Sequence, residues 1–286
     1  MRVSVEGTRL FFDVAGASHV PDSGRMAERP VTLVVHGGPG MDHSLLKPLF
    51  LPMAEHAQVV WIDLRGHGRS DPVPEGEWSL DRWAGDLVAF CDAVGLERPV
   101  LAGASVGGTA SALAAARSPG RFAGLVLTST PTGHRVKEML AVFERLGGAE
   151  AREVASRHWT QPSPEAAAEY QRVCLPLYAR EPLPPDVMAR AILRPEIGAH
   201  FYASAEWRAF DLCAHAPAID CPTLVVSGAD DPVAPNAVAR QLVDALPPGL
   251  GELLTIREGR HVLFQDAPDE LRTAVAHFVA DRHAKR

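Results

Sequence analysis

The sequence has few cysteines, no long apolar run and no excess of basic residues, and each absence excludes a class of protein. The four cysteines (Cys91, Cys174, Cys213 and Cys221) lack the paired spacing of a zinc site or a redox motif. We interpret them as small buried hydrophobic residues of a protein in the reducing cytoplasm. No apolar stretch reaches the roughly 18 residues that a membrane-spanning helix requires, so we predict no membrane partner.

Net charge and composition further narrow the class of protein to which this sequence belongs. The formal net charge of −7 lacks the basic excess that a phosphate-binding face needs, so we predict no nucleic-acid partner. With 47% hydrophobic and 22% charged residues, the composition is that of an ordinary globular protein with a large core. The first residues alternate like a strand and lack the apolar centre of a signal peptide.

Short apolar runs alternate with helical stretches along most of the chain. Five β-branched, apolar segments have the length of strands buried on both faces: 31–35, 59–63, 99–104, 124–129 and 222–228. Helices are predicted at 79–95, 106–118, 235–246 and 268–283, a further strand at 252–259, a hairpin over 3–16 and a loop over 17–30. This alternation predicts an α/β fold with a mostly parallel central sheet and helices on both faces.

Residues 132–216 interrupt that alternation. The segment is rich in Ala, Arg, Glu and Pro and contains no convincing buried strand. Because the α/β pattern resumes after it, we interpret the segment as a helical cap inserted between core strands rather than as a separate domain. The predicted core therefore comprises residues 1–131 and 217–286.

One serine lies among glycines where a predicted strand meets a predicted helix. The spacing Gly103-x-Ser105-x-Gly107 at a strand–turn–helix junction is typical of a nucleophile elbow, a sharp turn that exposes a serine hydroxyl. A glycine-rich connection with an incidental serine would share the spacing, but the junction favours the elbow. A serine becomes a useful nucleophile only beside a base, so the interpretation requires partners elsewhere.

A second glycine-rich loop, "HGGPG" at 36–40, directly follows the first buried strand. Its spacing fits neither a dinucleotide-binding loop nor a P-loop. Backbone N–H groups in such a loop can stabilise the negative charge that develops on a carbonyl oxygen during acyl transfer. We assign these oxyanion donors to Gly38 and, at the serine turn, to Val106.

The partners of the serine are predicted from two later strand ends, which meet at the same sheet edge. "SGADDP" at 227–232 places adjacent aspartates after a strand, and we prefer Asp231 to Asp230 as the residue that orients a histidine. An aspartate there could also simply organise a turn before proline. His261 follows the next strand and a glycine. The order Ser105, Asp231, His261 is the order expected for an α/β-hydrolase.

With these motifs in place, the chain resembles the α/β-hydrolase fold superfamily over residues 1–131 and 217–286. "HGGPG" is similar to the oxyanion-loop signature of the proline iminopeptidases (prolyl aminopeptidases), and "EYQRVCLPLY" at 169–178 weakly resembles their lid. "DLRGHGRSD" at 63–71 is similar to a common turn of the superfamily, in which we expect Asp63 and Arg65 to be structural. The resemblance implies a serine hydrolase.

Departures from the iminopeptidase pattern leave the substrate open. Where that family commonly has tryptophan after the nucleophile and glutamine in the later turn, this chain has Val106 and Leu64, and Pro232 follows Asp231. An aminopeptidase also needs carboxylates that bind the substrate ammonium group. Among the cap residues Glu169, Glu196 and Glu206 we choose Glu206, and we add Gly37 of the oxyanion loop as a second substrate-binding residue.

The leading hypothesis is a serine hydrolase that acts on a small-molecule or short-peptide substrate through an acyl-enzyme. An aminopeptidase that releases N-terminal proline and a carboxylesterase or lactonase remain open at nearly equal weight. Carbon–carbon bond hydrolysis or cofactor-free oxidation is a weaker alternative, and a non-catalytic ligand receptor would predict a damaged triad. The histidines lack metal-ligand spacing, so we predict no metal and no cofactor. The sequence does not reveal the oligomeric state.

Overall fold

The computed structural model describes residues 1–284, which form ten strands and twelve α-helices with short 3₁₀ turns between them. The strands are β1 (Arg2–Val5), β2 (Thr8–Ala15), β3 (His19–Asp22), β4 (Arg25–Glu28), β5 (Val31–Val35), β6 (Gln58–Ile62), β7 (Val100–Ala104), β8 (Gly124–Thr128), β9 (Thr223–Gly228) and β10 (Gly251–Ile256). The helices of the core are α1 (Lys47–Phe50), α2 (Leu80–Val94), α3 (Val106–Arg117), α10 (Asn236–Ala245), α11 (Leu263–Asp266) and α12 (Pro268–Ala284). Those between β8 and β9 are α4 (Val136–Thr160), α5 (Pro164–Val173), α6 (Pro185–Ala189), α7 (Pro195–Ala203), α8 (Ala205–Ala209) and α9 (Leu212–His215).

Eight strands form one sheet in the order β1-β2-β6-β5-β7-β8-β9-β10. The pairs from β6 to β10 are parallel, whereas β2 pairs antiparallel with both β1 and β6. Parallel strands require crossover connections, and helices supply most of them here. The predicted mostly parallel α/β sheet is confirmed, and its carboxyl edge gathers the loops that follow β5, β7, β9 and β10.

The strands are apolar on both faces because helices cover both faces of the sheet. In β5, Leu33 and Val35 pack into a cluster with α2 and α3, while Val34 packs into a second cluster with α12. All three side chains are fully buried. This two-sided burial explains why the core strands consist of continuous β-branched and aliphatic runs.

Residues 132–216, which we call the cap, carry α4 to α9 as their regular secondary structure. The cap has a cluster of its own, in which Phe143 of α4 packs with Trp159 and Tyr170. Other cap side chains, Phe201 and Trp207 among them, belong to the main cluster of the sheet. The cap is therefore packed firmly onto the sheet as well as onto itself.

The prediction of a loop over 17–30 was wrong, because these residues form a hairpin of β3 and β4. Ser23 and Gly24 connect the strands, and both have positive φ, as a two-residue type I′ turn requires. The ribbon is exposed along most of its length, so its residues lack the apolar alternation that reveals a half-buried strand. Sequence patterning detects strands through burial, and this hairpin buries little.

The four cysteines form no disulfide bond with one another. Cys91, Cys174 and Cys221 are buried, Cys213 is half-buried, and all four are free.

Of the helices within residues 1–284, none combines the length and apolarity needed to cross a bilayer.

Candidate active site

Ser105 occupies a strained turn between β7 and α3. Its backbone has φ of 50° and ψ of −128°, a conformation that residues other than glycine rarely adopt. The Ser105 N–H donates to the Thr128 carbonyl at 2.9 Å, so the turn is tied to the end of β8. Backbone strain of this kind costs about 1–3 kcal/mol and concentrates at functional sites.

The glycines beside Ser105 are required by close packing. A Cβ on Gly107 would lie 2.1 Å from the carbonyl oxygen of His36, and one on Gly103 would lie 2.6 Å from the Gly107 carbonyl oxygen. Only glycine therefore allows α3 to begin immediately against the loop that follows β5. The G-x-S-x-G spacing reflects this tight junction of two loops.

Ser105, His261 and Asp231 form one chain of hydrogen bonds. His261 Nε2 lies 3.2 Å from Ser105 Oγ, and His261 Nδ1 lies 3.0 Å from each carboxylate oxygen of Asp231. Because a carboxylate only accepts, the proton of the neutral imidazole is held on Nδ1 and Nε2 is left to accept from the serine hydroxyl. The structure thus brings together three residues that the chain separates by 126 and 30 positions.

Asp231 is fixed by its own surroundings as well as by the histidine. Its side chain is fully buried, and Oδ1 accepts from the N–H groups of Val233 and Ala234 at 2.8 Å. Asp230, the alternative, is half-buried and pairs with Arg145 at 2.6 Å. Between the two aspartates, the geometry therefore selects Asp231 as the partner of His261.

The "HGGPG" loop lies beside the serine turn. Gly37 and Gly38 line the same cavity as Ser105, and Gly38 has φ of 122°, which favours glycine. Tyr202 of α7 donates from Oη to the Gly38 carbonyl at 3.0 Å. Val106 is the first residue of α3, so its N–H has no acceptor within the helix.

The buried side chain of His36 connects the "HGGPG" loop to the turn after β6. His36 Nε2 accepts from the Leu64 N–H at 3.0 Å, which places the ring proton on Nδ1, 2.7 Å from the Gly37 carbonyl. Burial lowers the pKa of His36, so the ring is neutral at physiological pH. His36 therefore connects the loop after β5 to the turn after β6 without introducing a charge.

Ser105 and His261 open into an apolar cavity of about 510 Å³ beneath the cap. Its walls combine core and cap residues, with Leu49, Phe50 and Phe264 from the core and Leu183 and Met188 from the cap. The volume lies within the range typical of small-molecule sites. The cavity therefore offers an apolar compartment with the serine and histidine as its polar centre.

Glu206, predicted to bind substrate, lies elsewhere. Its carboxylate accepts from the N–H groups of Leu80 and Asp81, both at 3.3 Å, and so caps the start of α2. It does not line the cavity, and neither do Glu169, which pairs with Arg157 at 2.9 Å, or Glu196. The expectation for Glu206 is thus corrected, because α8 packs against the amino end of a core helix and turns this side chain away from Ser105.

Sequence reasoning missed several cavity residues from the cap. The ring of Tyr178 packs edge-on against His261, with centroids 5.3 Å apart. Tyr178 and Tyr202 both line the cavity, and burial raises the pKa of each hydroxyl, so both remain neutral. Glu181 also lines the cavity, at its exposed mouth. Only the "LPLY" portion of the lid motif pointed toward this part of the cap.

A metal centre is not evident among the described residues. Within residues 1–284, no group of three or more His, Cys, Asp or Glu side chains is arranged to hold a metal ion.

Comparison with known families gives a match over most of the chain. A model of the alpha/beta hydrolase fold matches residues 30–268. A putative carbamate hydrolase RutD from Variovorax paradoxus is 31% identical over 198 residues, which cover 66% of this chain and 69% of that protein. A proline iminopeptidase from Thermoplasma volcanium is 24% identical, with 97% of this chain and 95% of the relative covered.

Solved structures share the architecture. A proline iminopeptidase from Mycobacterium smegmatis superposes with a TM-score of 0.77 at 23% identity, covering 99% of this chain and 98% of the other. A thermophilic esterase from Thermogutta terrifontis superposes with a TM-score of 0.72 at 25% identity, covering 99% of this chain and 98% of the other. Proteins named for different substrates thus have the same fold as this chain.

Proposed function

The chain belongs to the α/β-hydrolase fold family, and from this premise we propose that it is a serine hydrolase in which Ser105 is the nucleophile. In this proposal His261 acts as general base and then general acid, and Asp231 orients it. The N–H groups of Gly38 and Val106 hold the oxyanion. The observation that carries the proposal is the hydrogen-bond chain from Asp231 through His261 to Ser105.

The mechanism follows from that chain. Ser105 Oγ attacks the substrate carbonyl carbon while its proton passes to His261 Nε2, and Asp231 stabilises the imidazolium that forms. The carbonyl oxygen becomes an oxyanion, and each well-placed N–H donor lowers the barrier by about 3–4 kcal/mol. His261 then gives the proton to the leaving group. Water, deprotonated by His261, attacks the acyl-enzyme and releases the acid and free Ser105.

The cavity favours an uncharged, apolar ester as substrate. Among the described residues that line it, Asp42 and Glu181 are the only carboxylates. Asp42 is fully buried and already paired with Arg69 at 2.5 Å. Since an isolated charge is costly to bury in apolar surroundings, a neutral acyl group fits the space beside Ser105 better than an ammonium group does. We therefore favour a carboxylesterase activity over a peptidase activity.

An aminopeptidase remains the second candidate because Glu181 lies at the mouth of the cavity. Its carboxylate has no hydrogen bond or ion pair with any residue that the structure describes, so it is available to a cationic group. A substrate with an N-terminal ammonium would place that group at the mouth and its carbonyl at Ser105. The family resemblance to proline iminopeptidases supports the same candidate.

A panel of substrates separates the two activities. We would compare p-nitrophenyl esters from acetate to octanoate with proline p-nitroanilide, using the Ser105→Ala variant as the background for both. Glu181→Gln tests the mouth carboxylate, and Glu196→Gln, at an exposed position outside the cavity, is its matched control.

The esterase is supported if esters are hydrolysed, longer acyl chains lower KM, and Glu181→Gln leaves these constants unchanged. The aminopeptidase is supported if the anilide is cleaved and Glu181→Gln alone lowers its kcat/KM by about tenfold, the effect of losing about 1.4 kcal/mol of binding. Turnover by Ser105→Ala equal to that of the wild type would reject both.

A further inference from the structure

The cap is hydrogen-bonded to the loop that carries His261. The Val262 N–H donates to the Tyr178 carbonyl at 3.0 Å, and Arg260 Nη1 donates to the Ala179 carbonyl at 2.9 Å. Both bonds cross from residues 178–180 of the cap to the residues that flank His261. We call these cap residues the strap.

Asp266 joins the strap to the other side of His261. Its Oδ1 accepts from the Arg180 N–H at 2.9 Å, and its Oδ2 accepts from the Arg260 N–H at 2.8 Å. A single carboxylate thus holds the cap and the residue before His261 together. Charge-assisted bonds from N–H to carboxylate are about twice as strong as neutral ones.

The result is that both amides flanking His261 are held. The N–H of Arg260 is fixed by Asp266, and that of Val262 is fixed by the strap itself. The Tyr178 ring completes the enclosure, since it packs edge-on against the imidazole. Tyr178 is itself held, because its hydroxyl lies 2.8 Å from that of Tyr170, which accepts from Trp159 Nε1 at 3.3 Å.

Fixing the main chain on both sides of a catalytic histidine has a direct consequence. His261 must keep Nε2 on Ser105 and Nδ1 on Asp231 at the same time, and the imidazole moves with its backbone. A displacement of about 1 Å can lower a catalytic rate about 10²-fold. The loop after β10 has no regular structure at residue 261 to supply this rigidity.

We propose that Asp266 is a positioning residue, which uses the strap of the cap to hold His261 in register with Ser105 and Asp231. The inference rests on the proposed serine-hydrolase function. It makes part of the cap a fixed component of the active site, so that substrate entry and product exit use the mouth near Glu181 rather than separation of the cap from the His261 loop.

The test compares Asp266→Asn and Asp266→Ala with Asp269→Asn. Asp269 also carries a carboxylate near the start of α12, but it is exposed, and its partner within residues 1–284 is Arg272. For each variant we would measure kcat and KM on a p-nitrophenyl ester, the fraction of active sites by burst titration, and the melting temperature. Expressing kcat per titrated site removes any loss that is due to misfolded protein.

For both Asp266 variants we expect kcat per active site to fall about 10- to 100-fold, with KM changed by less than about twofold. Asp266→Glu, which keeps the charge, should recover part of the loss, and Asp269→Asn should match the wild type. A purely structural role would lower the melting temperature and the active fraction and leave kcat per site unchanged, and that result would overturn the proposal.

Asp266→Asn keeps the measurement possible if Asp266→Ala does not fold, because the amide retains one acceptor oxygen. The outcome also separates this proposal from the proposed function. If Ser105→Ala is inactive while both Asp266 variants have wild-type kcat per site, only the positioning role fails. If Ser105→Ala keeps wild-type turnover, the serine-hydrolase function itself fails.

Discussion

Two histidine–aspartate pairs lie near the same edge of the sheet, and they differ in what surrounds the second ring nitrogen. His261 Nδ1 lies 3.0 Å from Asp231, and His43 Nδ1 lies 2.6 Å from Asp63. Both aspartate side chains are fully buried. By residue type and contact alone, the two pairs are almost interchangeable.

Their environments are not interchangeable. His261 Nε2 reaches the Ser105 hydroxyl and its ring lines the cavity. His43 is buried against Phe11 in a stacked arrangement, and its Nε2 lies 3.5 Å from the carboxylate of Asp13. Asp63 also accepts from the Arg69 N–H at 2.9 Å and so holds the turn after β6. One pair faces a hydroxyl in the cavity and is the proposed proton relay, whereas the other connects two loops of the core.

The comparison teaches that a histidine–aspartate pair becomes a candidate proton relay only when its free nitrogen faces a nucleophile in a cavity. Where both ends of the imidazole meet carboxylates away from the cavity, the same pair stabilises the fold. Activity and stability measurements can therefore separate the two pairs.

The largest effect is expected from His261→Ala, which removes the proposed base. By analogy with triads in which the base is deleted, kcat should fall about 10⁶-fold with the fold intact. Ester hydrolysis and a thermal melt measure both quantities. Turnover within tenfold of the wild type would show that His261 is not the base and that the distinction between the pairs is wrong.

Asp231→Asn should lower kcat by about 10⁴-fold, because an asparagine no longer selects the imidazole tautomer with Nε2 free to accept. The equivalent change in the other pair, Asp63→Asn, should leave kcat per active site within about threefold of the wild type. Burst titration provides the number of active sites for both variants. Equal losses per site would mean that both pairs take part in catalysis.

Asp63→Asn should instead lower the free energy of unfolding by about 3 kcal/mol, since it breaks a buried pair and sets an amide against the Arg69 N–H. Urea denaturation of the purified variant measures this difference. Asp71→Asn is a suitable control, because Asp71 lies in the same turn but forms an exposed pair with Arg9. A loss below that of the control would indicate that the His43–Asp63 pair does not stabilise the fold.

The smallest effect concerns the pH dependence of stability. Burial alone would raise the pKa of Asp63, but the hydrogen bond from His43, the neighbouring imidazoles and the Arg69 N–H outweigh it and lower the pKa from 3.8 to about 2. The folded state therefore favours the carboxylate. The lowered pKa of Asp63 adds about 2 kcal/mol to the free energy of unfolding. This stabilisation is complete above pH 3.8 and is lost as the pH falls through 2.

Denaturation at pH 5 and at pH 2 tests whether folding lowers the pKa of Asp63. The difference in unfolding free energy between the wild type and Asp63→Asn should shrink by about 2 kcal/mol at the lower pH. A difference that stays constant or grows at pH 2 would contradict the assigned direction of the pKa shift.

Much of the fold could be predicted because strands that are buried on both faces consist of continuous runs of apolar residues. Continuous apolar segments such as 31–35 predicted the core strands within about two residues of their observed ends, as is usual for boundaries. Residues 17–30 were mispredicted as a loop, since an exposed hairpin needs no apolar alternation. The weakness of the pattern there reflects the lack of burial rather than the lack of a strand.

The candidate site was predictable to the extent that its chemistry depends on local motifs. Ser105 is marked by glycines that the tight junction requires, and His261 by its place after a strand. Glu206 was misplaced because the direction of a cap side chain depends on how α8 packs against α2, a contact 126 positions away. Asp266 had no local signal for the same reason, and Tyr178 was marked only by its place in the "LPLY" segment.

The sequence by itself determined the class of sheet, and it predicted the strand ends at which chemistry is expected and a candidate nucleophile, base and orienting carboxylate. These follow from short-range rules, since the burial pattern, turn sterics and motif spacing act over a few residues. The tertiary structure alone decided which cap residues reach the cavity and how the cap holds His261. Such choices depend on contacts between segments far apart in the chain, whose relative positions are set only when the core and the cap pack together.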